Sequence, residues 1–204
     1  MTRRFVQLVA GLWLYGATMA MLVRSGLGLD PWDVLHEGLT HHLPLTFGQI
    51  VIAVGALVLL AWIPLRVRPG IGTILNVVLI GIAVDVTLAM LPPGERLDVR
   101  VALLVAGVVG NALAGAMYVG AGLGTGPRDG LWTGLVRRTG VSVRRVRTGL
   151  EVAVLVVGFV LGGTVGVGTV LYAVTIGPLV QAFLPFFDRR PAQDVFPASS
   201  LSPV

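Results

Sequence analysis

Long apolar runs separated by short polar or proline-bearing breaks dominate the chain, at about 5 to 23, 47 to 65, 70 to 91, 101 to 119, 148 to 164 and 166 to 187. Each run approaches the ~20 residues that an α-helix needs to cross a hydrocarbon core about 30 Å thick. The pattern predicts an all-α integral membrane protein with six transmembrane helices. The first run follows Arg3 and Arg4 as a secretory signal would, but it extends over 19 residues without a clean A-x-A site, so it is expected to stay as the first helix. Beyond the last run, DRRPAQDVFPASSLSPV (188 to 204) is rich in proline and serine with few apolar anchors, and is expected to be a disordered cytoplasmic tail.

Composition agrees. Apolar residues make up 55% of the 204 and charged residues 12%, with a mean hydropathy of +0.88, whereas a soluble domain is roughly 25% charged. A water-soluble globule is excluded. The pI near 11 rests on 15 arginines and no lysine. These arginines sit at the ends of apolar runs rather than interleaved with aromatics, which speaks against nucleic-acid binding. With the N-terminus cytoplasmic, Arg3, Arg4, Arg66, Arg68, Arg128, Arg137, Arg138, Arg144, Arg145, Arg147, Arg189 and Arg190 fall inside. Only Arg24, Arg96 and Arg100 fall outside. Twelve against three is a positive-inside bias that favours an even number of spans and two cytoplasmic termini. The absence of cysteine removes disulfides, thiolate metal sites and a cysteine nucleophile.

The runs repeat. A shift of 96 residues lays GLGLDPWDVLHEGL (26 to 39) on GLGTGPRDGLWTGL (122 to 135) with 8 identities in 14 positions. The same shift lays GIGTILNVVLIG (70 to 81) on GVGTVLYAVTIG (166 to 177) with 7 identities in 12. Glycine-rich membrane sequences match by accident, but the shared Pro31/Pro127 and Asp33/Asp129 are not low-complexity coincidences. Residues 1–95 and 96–187 are thus expected to be two three-helix repeats. Because three is odd, the second copy enters the membrane from the opposite side, which makes the repeats inverted, as in many secondary transporters.

The first matching block carries helix-start chemistry. Gly26 and Gly28 break the first helix, Asp30 is a good N-cap, Pro31 suits the first helical position, and Trp32, Leu35 and Leu39 form an apolar stripe. Gly122, Gly124, Gly126, Pro127, Leu131 and Leu135 repeat this in the second block. A helix of about 10 residues reaches only ~15 Å, so each block is either a re-entrant half-helix or a helix lying at the interface. If re-entrant, the two would aim their N-termini, with Asp33 and Asp129 nearby, toward the midplane; otherwise each Asp only serves its own helix start.

Asp85 is the one acid well inside an apolar run, and its repeat partner is the neutral Gln181; an acid at that depth should face the bundle interior or a wet cavity. Glu151 sits beside Arg144, Arg145 and Arg147, where interfacial pairing explains it. His36, Glu37, His41 and His42 do not have H-E-x-x-H spacing, and no metal site is expected. GLGTGP lacks a preceding strand and a following Lys-Ser/Thr, so no nucleotide or other cofactor is expected. Gly107, Gly110, Ala114, Gly158 and Gly162 supply small-x-x-x-small faces, for packing within the chain or for a homodimer.

At GLGLDPWDVLHEGL, its echo GLGTGPRDGLWTGL, and GIGTILNVVLIG, the chain resembles the YczE/YyaS/YitT family of bacterial multi-pass membrane proteins, over about residues 5 to 185. The resemblance implies a multi-pass protein of the bacterial inner membrane and supplies no catalytic residues. The reading that follows is a small transporter or permease for an unknown small molecule or ion, with Asp33, Asp129, Arg128, Trp32 and Asp85 along the path. Arg128 stands where the first repeat has Trp32. The alternative is a non-transporting scaffold that holds a cytoplasmic partner through Arg137 to Arg147. No enzyme is expected, since no Ser/His/Asp set, metal signature or close acidic pair recurs in both halves.

Overall fold

A computed structural model describes residues 1–189. The expected disordered tail falls almost wholly on residues 190–204, outside the described residues. Among the described residues there are eight helices and no strand: α1 (Thr2–Ser25), α2 (Pro31–Thr40), α3 (Phe47–Leu65), α4 (Ile71–Met90), α5 (Leu97–Gly120), α6 (Pro127–Thr139), α7 (Val143–Val160) and α8 (Val167–Phe187). Five of them, α1, α3, α4, α5 and α8, are long and apolar enough to cross a membrane. α7 has 18 residues, but Arg144, Arg145, Arg147 and Glu151 occupy its first half, so charge rather than length separates it from the others.

α1 and α5 form the central pair, and small residues set how closely they approach. A methyl group on Gly11 would lie 2.9 Å from Met117 Cβ, and one on Gly107 would lie 2.7 Å from a Leu22 methyl. Leu8, Leu12, Leu22, Leu104 and Val108 bury themselves along this seam. α4 flanks α1 and α8 flanks α5, while α2 packs on α7 and α3 on α6. The short helices therefore each lean on a long helix of the other half. Outward-facing Leu57, Ile63, Val156, Val160, Val170 and Val174 are exposed, which suits a surface solvated by lipid rather than water.

The contacts between halves are reciprocal at the 96-residue shift. Gly72 donates its N–H to Leu123 O at 2.9 Å, and Gly168 donates to Leu27 O at 2.8 Å. Arg4 donates to Ala121 O (2.7 Å) and Gly122 O (2.5 Å), and Arg100 donates to Ser25 O (2.6 Å) and Gly26 O (2.7 Å). Each guanidinium thereby satisfies carbonyls left open where the other half's central helix ends. The glycine loops are required by backbone geometry. Gly28 and Gly124 have φ of 117° and 143°, conformations that L side chains rarely adopt. A methyl group there would meet Thr169 Oγ1 at 2.7 Å and Thr73 Oγ1 at 2.8 Å, respectively.

Candidate functional site

Asp30 caps α2 as its sequence position suggests: Oδ1 accepts the N–H groups of Trp32 (2.8 Å) and Asp33 (3.0 Å). Its other oxygen faces Arg128, the second residue of α6, whose Nη1 is 3.6 Å away. Arg128 Nη2 also donates to the Tyr15 hydroxyl at 2.5 Å. Asp30 is buried, while 35% of the Arg128 side chain is exposed. The first turns of the two short helices thus meet, side chain to side chain, beside the middle of α1. Buried charges of this kind persist only when paired or hydrogen-bonded.

Two cavities flank this junction. The larger, about 350 Å³, lies between α1, α5, α6, α7 and α8 and touches the start of α2. The smaller, about 70 Å³, lies between α1, α2, α3 and α4 and touches the start of α6. Tyr15, Trp32, Tyr118 and Arg128 line both, so these four side chains form the wall between them. The linings correspond position by position. Asp33, His36, Val51, Val54, Asn76 and Ile80 line the small cavity, and Asp129, Trp132, Arg147, Leu150, Tyr172 and Ile176, each 96 residues further on, line the large one.

The difference in volume has a structural cause. α3 packs along α4, and their crossing is so tight that a methyl group on Gly48 would lie 2.0 Å from Gly81 O. Asp85 fastens this crossing: its carboxylate accepts the Gly48 N–H at 2.7 Å and the Thr46 hydroxyl, both at the start of α3. The corresponding helices α7 and α8 stand apart. Arg144 occupies the place of Gly48, a methyl group on Gly177, the counterpart of Gly81, would meet nothing within 4 Å, and Gln181, the counterpart of Asp85, lines the large cavity.

Of the residues singled out by sequence, Trp32, Asp33, Arg128 and Asp129 come together at the junction, and Asp85 stands apart from both cavities at the α3–α4 crossing. Asp33 is buried, with Oδ1 3.0 Å from His36 Nδ1. Asp129 Oδ2 accepts from the Tyr118 hydroxyl at 3.4 Å. Pro31 and Pro127 start α2 and α6, and Gly26 and Gly122 turn the chain with φ of 58° and 61°. Gly158 packs against the α2 backbone at Leu35, serving contact within the chain, and Glu151 pairs with Arg147 at 2.9 Å. Glu37 accepts the Thr164 N–H, and His42 faces Leu161 O. Sequence reasoning missed Tyr15, Asn111 and Tyr172, which are linked through Asn111: Tyr172 donates to its Oδ1 at 2.8 Å, and its Nδ2 lies 3.4 Å from Tyr15 O. A signal existed, because the same shift pairs Tyr15 with Asn111 and Asn76 with Tyr172, polar positions inside apolar runs in both copies.

The family described as a family of unknown function (DUF6198) matches residues 2–185, a range that includes every residue of both cavities. The chain belongs to this family. An uncharacterized protein of Haemophilus influenzae is 38% identical over 184 residues, covering 90% of this chain and 84% of its own. The Bacillus subtilis protein named as uncharacterized membrane protein YczE is 36% identical, covering 86% of this chain and 83% of its own. Bacillus subtilis YyaS is 26% identical over 88% of this chain and 92% of its own. No solved structure matches. With five apolar helices of spanning length and a relative named as a membrane protein, this family member is a membrane protein.

Proposed function

We propose that the chain is a small transporter or permease of the bacterial inner membrane, built from two inverted three-helix repeats, residues 1–95 and 96–187. In this reading α7 is the sixth span, α2 and α6 are re-entrant half-helices, both termini are cytoplasmic, and the protein does no covalent chemistry. The observation that supports it is the pair of cavities lined by repeat-equivalent residues, of about 350 and 70 Å³, on either side of one wall. A transporter must offer one site to two compartments in turn, and two inverted copies provide two equivalent half-paths around it. When one half adopts the packed arrangement and the other the splayed one, a single path is open; exchanging the arrangements opens the other. The buried acids Asp30 and Asp33 and the partly exposed Arg128 at the wall suit a polar path, since ionisable groups at membrane depth mark such paths.

The chain has no cysteine, so single cysteines report cleanly. Val54→Cys and Leu150→Cys are repeat-equivalent and line the small and large cavities. A membrane-impermeant thiol reagent should modify Leu150→Cys from the cytoplasmic side and Val54→Cys, more slowly, from the outside. Modification of both from one side overturns the reading. If neither cysteine reacts from either side, the scaffold reading takes its place. That reading draws on the exposed Arg137, Arg138, Arg144 and Arg145 around the α6–α7 turn.

A further inference from the structure

We infer that the larger cavity is a binding site for an organic cation, an amine or quaternary ammonium carrying an apolar or aromatic group. This names the substrate class for the transport reading above and rests on that reading only for what crosses the membrane. At about 350 Å³ the cavity falls within the range of small-molecule sites. Its lining carries three carboxylates, Asp30, Asp129 and Glu151, against two guanidiniums, Arg128 and Arg147. Glu151 is matched by Arg147 at 2.9 Å and Asp30 by Arg128 at 3.6 Å. Asp129 has no ion pair of its own: its side-chain hydrogen-bond partner is the neutral Tyr118 hydroxyl at 3.4 Å, and Arg128, whose charge it also feels, is already shared with Asp30.

Comparison of the two halves shows what Asp129 lacks. Its counterpart Asp33 sits 3.0 Å from the imidazole of His36, three residues on. At the corresponding place in the second half stands Trp132. The basic partner has been replaced by an aromatic ring at the edge of the roomier cavity. A carboxylate lining the same cavity as Trp132 and Trp32 combines an opposing charge with π-surfaces, the pairing that holds ammonium ligands. The tyrosine hydroxyls are already engaged: Tyr15 accepts from Arg128, Tyr118 bonds Asp129 and Tyr172 donates to Asn111. What Tyr15, Tyr118 and Tyr172 leave for an occupant is ring surface. An anion would meet a net negative lining.

The full chain in lipid nanodiscs is titrated by calorimetry with benzyltrimethylammonium, with benzoate and benzyl alcohol as anionic and neutral analogues. Saturable binding of the cation alone is expected. Asp129→Asn should weaken it by about tenfold or more, because a full opposing charge is lost. Trp132→Leu should weaken it by roughly threefold to tenfold. Asp129→Glu should retain most of the affinity, and Asp98→Asn, an exposed acid outside both cavities, should leave it unchanged. Thermal unfolding of each variant separates loss of the site from loss of the fold. Preference for benzoate, or cation binding indifferent to Asp129→Asn in a folded protein, overturns the assignment. In proteoliposomes, Asp129-dependent binding without cation flux overturns the transport reading and leaves the site standing. Flux of another solute, untouched by Asp129→Asn, does the reverse.

Discussion

Removing the charge of Arg128 should reveal what its pairing with Asp30 contributes where α2 and α6 meet. At 3.6 Å, two unit charges attract by about 4 to 5 kcal/mol at an effective dielectric constant of ~20. The Arg128 side chain is 35% exposed, so water screens much of this and the net coupling should be about 1 to 2 kcal/mol. Arg128→Gln leaves a buried carboxylate held only by its two amide donors, and should destabilise by about 2 to 3 kcal/mol. Asp30→Asn keeps an acceptor oxygen for the cap and should cost about 1 to 2 kcal/mol. The double variant should then cost about 1 to 2 kcal/mol less than the two singles together. Equilibrium unfolding of all four proteins in mixed micelles, followed by circular dichroism, gives each value. Additivity within about 0.5 kcal/mol would refute the argument that the two short helices are joined by this pair.

Gly28→Ala and Gly124→Ala force a side chain into positive φ and into the threonine in the first turn of the other half's last helix; each should cost about 2 to 4 kcal/mol by unfolding in micelles, and wild-type stability of both would contradict the contact. Asp85→Asn weakens a charge-assisted hydrogen bond at the α3–α4 crossing, and should lower stability by about 1 to 2 kcal/mol while speeding thiol modification of Val54→Cys severalfold. Unchanged modification would show that Asp85 supports α3 without holding that crossing shut.

Local rules carried the reading of helix starts. Pro31 and Pro127 at the first helical position, Asp30 as a cap and the glycine breaks are short-range chemistry, and the structure places α2 and α6 where those rules put them. The apolar run 47 to 65 coincides with α3 (Phe47–Leu65). α7 was less legible, because its helix begins at Val143, inside the arginine cluster, while an apolar-run criterion starts it at 148. Backbone hydrogen bonding continues through charged residues; hydropathy does not register it. Asp33 and Asp129 looked equivalent, yet His36, three positions on, faces Asp33, whereas Asp129, followed at that spacing by Trp132, bonds Tyr118 instead. That spacing is one helical neighbour and was open to sequence reasoning. Asp85 was not: its bonds to Thr46 and Gly48 span nearly 40 positions and depend on how α4 packs on α3. The repeat also extends beyond the two matching blocks, since the same shift lays Arg4 and LVAG (8 to 11) on Arg100 and LVAG (104 to 107); what the sequence did not show is that the two arginines exchange carbonyl contacts between the halves.

The proposed reciprocal opening of the two halves is tested most directly by spin-label distances across their mouths. Leu45 and Met90 lie at the neighbouring ends of α3 and α4, Val141 and Phe186 are their counterparts beside α7 and α8, and all four are exposed. In lipid, the 45/90 pair should be short in most molecules and the 141/186 pair long, each with a minor population of the opposite kind. Asp85→Asn should raise both minor populations together. A single distance for each pair, unmoved by Asp85→Asn, would contradict alternating access and leave a static scaffold.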